Sequence, residues 1–265
     1  MESRVPVLLR RAVAACALLA SVAFAQPPRL QGYLASGRAL DDTAFLPPPP
    51  AAGSPLAAAD LAVYRETRAL EGDPRWTRAA SDNVIGLDAL LADYRCALGV
   101  DLVPEEMPAL SRMLMRAGAD LFPLIGAAKD RYQRPRPFVL EPAAVCIEPS
   151  ADLAESGAYP SGHAAVGWLY ALLLAEIDPA NAGAIVARGR AYGESRVVCG
   201  VHWVSDIDAG RTLATALVAA LHGNGEFAGE VVAARTELAA MRARSAKRAD
   251  AAACADEEGN LKTPW

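Results

Sequence analysis

Histidine is scarce in this chain, with three among 265 residues, and none of the five cysteines has the C-x-x-C spacing of a zinc or redox motif. Zinc-ribbon and thioredoxin-like chemistry are therefore excluded. There is no excess of basic charge: 26 Lys and Arg stand against 31 Asp and Glu, a net charge of −5, which argues against a nucleic-acid binder. No uninterrupted apolar run reaches the roughly 20 residues that a bilayer span requires. No Gly- or Ser-rich linker divides the chain, so one domain is expected. No alternating apolar and polar run is long enough to specify a sheet.

What is present begins with a short basic start (Arg4, Arg10, Arg11), an apolar stretch over residues 12–24 and the small-residue triplet Ala23-Phe24-Ala25. That order is the pattern of a secretory signal peptide, with cleavage expected after Ala25. Its removal leaves 23 Lys and Arg against 30 Asp and Glu, a net charge near −7. Cys16 leaves with the signal, whereas Cys96, Cys146, Cys199 and Cys254 enter an oxidising compartment. Up to two disulfides follow, in any of three connectivities that spacing does not rank.

Residues 26–55 form an irregular lead-in, ending in Pro47-Pro48-Pro49-Pro50 and Gly53-Ser54-Pro55, where fixed φ angles and missing donors disfavour regular structure. Beyond it the chain is rich in helix formers, and the pattern predicts helices over 57–71, 74–97, 104–132, 162–176, 180–193, 201–222 and 226–249. The fold class is all-α, a single-domain helical bundle. Two stretches, 164–175 and 213–221, are almost uniformly apolar and are expected to be the central pair of the bundle. The segment 242–250 reads as a charged, solvated helix end.

The chemistry concentrates on two of the three histidines. His163 closes Pro160-Ser161-Gly162-His163 immediately before an apolar helix, where Ser161 is a natural N-cap and the helix N-terminus offers free N–H groups to an anion. His202 opens another helix with Asp206 four residues on, a same-face spacing that lets a carboxylate fix the imidazole tautomer. Lys129, Arg136 and Arg196 are candidate partners for a phosphate, since guanidinium forks match its oxygens in pairs. Arg131 and Arg134 read as solvated surface charges, and His222 as a capping or surface residue.

Together these residues spell Lys129-x6-Arg136-Pro137, Pro160-Ser161-Gly162-His163 and Ser195-Arg196-x5-His202-x3-Asp206. The pattern resembles the three-part signature of the type 2 phosphatidic acid phosphatase superfamily, which includes bacterial acid phosphatases and vanadium haloperoxidases. Within it the chain is similar to class A bacterial acid phosphatases across essentially the whole mature length. That likeness includes residues 46–50, Gly72-Asp73-Pro74-Arg75-Trp76, Gly167-Trp168 and Ser195 to Trp203. Ala164 departs from it, standing where those phosphatases usually carry Thr.

The resemblance implies a periplasmic enzyme that hydrolyses phosphate monoesters to inorganic phosphate, with transfer to alcohols also open, and that assembles as a homodimer or larger homo-oligomer. It implies His202 as nucleophile, Asp206 as its orienting carboxylate and His163 as general acid and base. Lys129, Arg136, Ser161, Gly162 and Arg196 would bind the phosphoryl oxygens. With three cations in the site no metal or other cofactor is expected. Three rivals share parts of the pattern: a vanadium haloperoxidase using the same pocket for vanadate, a membrane lipid phosphatase, which needs several spans, and a non-enzymatic phosphate-binding protein.

Overall fold

The computed structural model describes residues 30–34, 40–244, 249–263 and 265; the expected signal peptide and part of the lead-in lie outside them. The helices, in order, are α1 (Pro55–Thr67), α2 (Pro74–Ser81), α3 (Leu87–Asp93), α4 (Arg95–Leu98), α5 (Pro108–Tyr132) and α6 (Pro137–Leu140). They are followed by α7 (Ala151–Glu155), α8 (Gly162–Ile177), α9 (Ala182–Val198), α10 (Val204–Leu221), α11 (Gly225–Arg244) and α12 (Ala251–Gly259). Among the described residues there is no strand, and the fold is all-α. No single described helix is long and apolar enough to cross a membrane.

Local chemistry sets most helix ends. Ser54 accepts from Ala57 N at the start of α1, Asp73 from Arg75 N at α2, Ser161 from Ala164 N at α8 and Asp250 from Ala252 N at α12. Pro occupies the first turn of α1, α2, α5 and α6, where a missing N–H costs nothing. Gly99 stops α4 at φ 67°, in the left-handed region.

The centre is α8, apolar on nearly every side, which packs most extensively on α9 and next on α10, with α5 and α11 completing the bundle. Leu173 and Leu174 of α8, Leu213 and Leu217 of α10 and Leu110 and Leu114 of α5 are all fully buried in one cluster. Each such side chain contributes ~2–3 kcal/mol relative to exposure. Close approach at the site end of α8 depends on two glycines. A Cβ on Gly210 would meet the Ser161 carbonyl at 2.6 Å and Ala165 N at 3.1 Å, and one on Gly193 would come within 3.2 Å of the Ala164 Cβ. Ala164 is thus committed to the seam between α8, α9 and α10, which accounts for a small residue at that position.

The helix expected over 74–97 is three helices. It breaks at residues 82–86, Asp-Asn-Val-Ile-Gly, which are weak helix formers, and the buried Asp82 carboxylate fixes the break by accepting from Arg188 and Ser195. The helix expected to stop at Gly193 continues to Val198, since that glycine serves packing rather than termination. The predicted helix over 201–222 begins only at Val204, leaving His202 outside it. In the apolar stretch 213–221, Thr215 and Ala219 are exposed, so α10 flanks α8 and the two are not an equally buried pair.

The described part of the lead-in before α1 is irregular apart from one 3-10 turn at Asp42–Ala44, and it lies against the bundle: Leu46 is buried, and Pro47 O accepts from the Tyr159 hydroxyl at 2.5 Å. The segment 242–250 is not uniformly solvated, because Arg242 is clamped to Asp178 and to Leu98 O. Two disulfides form, Cys96–Cys254 between α4 and α12 and Cys146–Cys199 just ahead of the His202 turn.

Candidate active site

Three chain segments converge at the N-terminal end of α8. The last turn of α5 and the turn after it bring Lys129, Arg134 and Arg136; the α8 start brings Ser161, Gly162 and His163; the end of α9 and the following loop bring Arg196 and His202. Ser161 N donates to Asp206 O at 2.9 Å, which locks the α8 start to the α10 start.

His202 sits in the loop before Trp203, the N-cap of α10, and Asp206 is the third residue of that helix. The expected helical i,i+4 face is therefore a capping arrangement. Asp206 Oδ2 accepts from Trp203 N at 2.8 Å and lies 3.2 Å from His202 Nδ1. On the other side, Arg136 Nη1 lies 3.1 Å from His202 Nε2. A guanidinium only donates, so Nε2 carries the lone pair and Nδ1 the proton. Asp206 is fully buried, and that burial pushes its carboxyl up to about 6 against the pull of Arg134 and the Trp203 N–H.

The positive groups are held chiefly by oxygens without full charge. Lys129 Nζ donates to Gly157 O. Arg136 donates to Val201 O at 2.9 Å and to Ser156 O and Oγ at 3.2 and 2.9 Å. Arg196, 1% exposed, donates from Nη2 to Asn83 Oδ1 at 2.8 Å, while its buried Nε and Nη1 have no partner. Orphaned buried guanidinium donors are costly unless a ligand completes them. Burial, with the Arg136 charge, pushes Lys129 down to about 8 and Arg196 to about 10, and burial pushes Arg136 to about 10 against the pull of Asp206.

His163 Nε2 lies 2.9 Å from Asn83 O, and the ring stacks on Tyr192 with centroids 6.3 Å apart. Burial, then Arg196, drives its imidazole down to about 3, and burial with Arg136, Lys129, Arg196 and His163 holds His202 well below its ordinary value. All three cations thus act on both imidazoles and, with burial, favour the neutral form of each ring. Ser161 is buried, with its oxygen accepting from Ala164 N at 3.3 Å and its proton left for another acceptor. Among the described residues no group of three or more His, Cys, Asp or Glu side chains is arranged to hold a metal ion.

Every expected site residue therefore lies in this one region. Two expectations about neighbours are corrected. Arg134, read as a solvated charge, is mostly buried and bridges Asp206 at 2.5 Å and Asp60 at 2.8 Å, so it is a support beneath the carboxylate that faces His202. Arg131 is half-exposed but paired with Asp42 at 2.6 Å, tying the lead-in to α5. His222 caps α10 at the far end, half-exposed, 3.4 Å from Glu176, as expected of a capping residue. Asn83, Ser156 and Asp60 were not foreseen. Asn83 fell inside a predicted helix, and its only sequence signal was the turn-forming Asp82-Asn83 pair.

A family model described as the PAP2 superfamily matches residues 110–226, which contain all of these candidate catalytic and phosphate-binding residues. An acid phosphatase of Zymomonas mobilis is 42% identical over 203 residues, covering 76% of this chain and 77% of its own. A non-specific acid phosphatase of Providencia stuartii is 39% identical over 212 residues, 79% of this chain and 86% of that one. Another from Salmonella typhimurium is 36% identical over 199 residues, 73% and 78% of the two chains.

Proposed function

Since the chain belongs to the non-specific acid phosphatases of the PAP2 superfamily, we propose that it cleaves phosphate monoesters through a phosphohistidine on His202. The observation that carries this reading is the pair of unpartnered, buried Arg196 donors beside a neutral imidazole whose lone pair faces Arg136. A tetrahedral dianion supplies acceptors for those donors and opposes the repulsion among the three cations.

On binding, Arg136 Nη1 shifts from His202 Nε2 to a phosphoryl oxygen and frees the lone pair. Nε2 then attacks phosphorus in line, forming an N–P bond as the ester P–O bond breaks. Asp206 stabilises the positive imidazole that results. The bound anion raises the proton affinity of His163, which gives its proton to the departing oxygen. His163 next takes a proton from water, water oxygen attacks phosphorus, and the N–P bond breaks to release inorganic phosphate. Lys129, Arg136, Arg196, Ser161 and the Gly162 N–H hold the equatorial oxygens throughout.

Export to the periplasm belongs to the same proposal. It is supported by the signal-like start and by two disulfides, which persist in an oxidising compartment. Cell fractionation tests it, with the activity expected in the periplasmic fraction. The chemical step is tested by alkaline quenching during turnover of a phosphoryl-labelled aryl ester, since phosphohistidine survives base. Label is expected on the His202 peptide, with no turnover in His202→Ala; a fully active, unlabelled His202→Ala protein would falsify the nucleophile assignment.

A further inference from the structure

Asn83 touches both halves of the site at once. It lies in the turn after α2, where its carbonyl meets His163 Nε2 at 2.9 Å and its side-chain Oδ1 accepts from Arg196 Nη2 at 2.8 Å. A carbonyl only accepts, so the contact assigns a proton to Nε2 and leaves Nδ1 as the nitrogen that gains and loses one. The Oδ1 contact occupies one arm of the Arg196 fork and leaves Nε and Nη1, the two orphaned donors, for an oxyanion.

The turn itself is fixed from several sides. Asn83 N donates to Ala80 O at 3.2 Å, and Tyr192 Oη donates to Val84 O at 3.3 Å. Its neighbour Asp82 is fully buried, accepting from Arg188 Nη2 at 2.7 Å and from the Ser195 hydroxyl at 2.6 Å. Ser195 also receives Arg75 Nη1 at 2.9 Å. The turn is therefore held rigidly by α2 and α9, and a rigid frame is what an acid and a phosphate fork need to keep a common geometry.

We propose that Asn83 is a positioning residue for phosphoryl transfer: its carbonyl fixes the tautomer of His163, and its side chain holds Arg196 Nη2 so that the Nε and Nη1 donors stay available to phosphoryl oxygens. This rests on the proposed phosphate-binding reading of the pocket. It extends that reading to a residue outside the signature motifs.

The test measures inorganic phosphate binding by calorimetry, without turnover, in the wild-type chain and two variants. Asn83→Ala keeps the carbonyl and loses Oδ1, so phosphate affinity is expected to fall about tenfold or more, the scale of a hydrogen bond to a charged group. The dependence of kcat on the leaving group should stay as in wild type. Asn83→Asp keeps the acceptor but adds a negative charge beside Arg196, so its phosphate affinity should be poor at neutral pH and recover on acidification. A merely structural role would not produce that pH signature. Nitrogen-15 spectra of the wild-type protein give an independent readout, with His163 Nε2 protonated and Nδ1 bare before phosphate is added.

Wild-type phosphate affinity in a folded Asn83→Ala protein, or the opposite His163 tautomer, would overturn the positioning role while leaving the phosphatase reading intact. A wild-type protein that binds no phosphate would overturn the reading beneath it.

Discussion

Two buried arginines on α9, Arg188 and Arg196, are each 1% exposed and serve opposite ends. Arg188 is surrounded by carboxylates: Asp82 at 2.7 Å, Asp93 at 2.9 Å and Glu257 of α12 at 3.2 Å. These neighbours hold its guanidinium above the ordinary arginine range despite the burial. Two helical turns on, Arg196 has one amide oxygen as partner, two empty donors and a proton affinity lowered by burial and Arg136. The first cluster is neutralised and structural. The second is left under-neutralised, and on the proposed function the missing negative charge is the substrate's. The comparison shows that burial alone does not distinguish a structural charge from a functional one; the distinguishing quantity is how much counter-charge the protein itself supplies.

Exchanging each arginine for methionine breaks the comparison most severely. Arg196→Met should lower kcat/KM by a factor on the order of 10³, the scale of removing a transition-state donor, while the melting temperature holds or rises. Arg188→Met should remove the closest counter-charge of the buried Asp82 and Asp93, leaving them Arg78 at 4.0 and 3.7 Å, and cost about 3–5 kcal/mol of stability in chemical denaturation. If Arg188→Met were as stable as wild type, or Arg196→Met as active, the two clusters would not differ in the way described.

Lys129 sharpens the same contrast through pH. Its ammonium falls from 10.5 to about 8 in the folded chain, so the charge needed for phosphate disappears above about 8 in the empty site. The unfolded chain binds more protons between 8 and 10.5, so this group's effect on stability improves over that window as phosphate binding weakens. An alkaline limb in kcat/KM with an apparent pKa near 8 is expected, and it should move upward in Lys129→Arg. An unmoved limb would assign it elsewhere.

A smaller effect is expected from His163. Its imidazole falls from 6.5 to about 3 on folding, so the unfolded chain binds more protons between those values and the ligand-free protein loses stability as pH drops through that window. Asp206, raised from 3.8 to about 6, acts in the opposite sense, but is common to wild type and His163→Gln. Thermal melting of the pair should show the shallower acid slope in His163→Gln. Added phosphate should protect wild type more as the pH falls, because the anion favours protonated His163.

Much of the site was legible because its chemistry is carried by short segments with strong local signals. Pro160-Ser161-Gly162-His163 announced a helix start with anion-binding capacity, and the structure places Ser161 at that cap. The all-α class followed from composition, and Asp73-Pro74 marked the start of α2, whereas Pro55, read as the end of the irregular lead-in, is the first residue of α1. What escaped depended on distant partners. Residues 82–86, Asp-Asn-Val-Ile-Gly, are weak helix formers, but where the break sits depends on Asp82 being held by Arg188, 106 positions away. Gly193 carries the signature of a stop and is instead a contact surface for Ala164. Arg134 looked like any charged residue near a helix end until Asp60 and Asp206 met it. Neither disulfide pairing could be ranked from spacing, since both join segments that meet only in the folded bundle.

The most direct measurement is a crystal structure of the protein with vanadate, a pentacoordinate mimic of the phosphoryl group in transfer. Vanadium is expected within bonding distance of His202 Nε2, with Arg196 Nε and Nη1 donating to its oxygens and Arg136 displaced from the imidazole. Vanadate bound elsewhere, or an occupied pocket in which the two Arg196 donors still lacked partners, would contradict the claim that the protein withholds counter-charge there for its substrate.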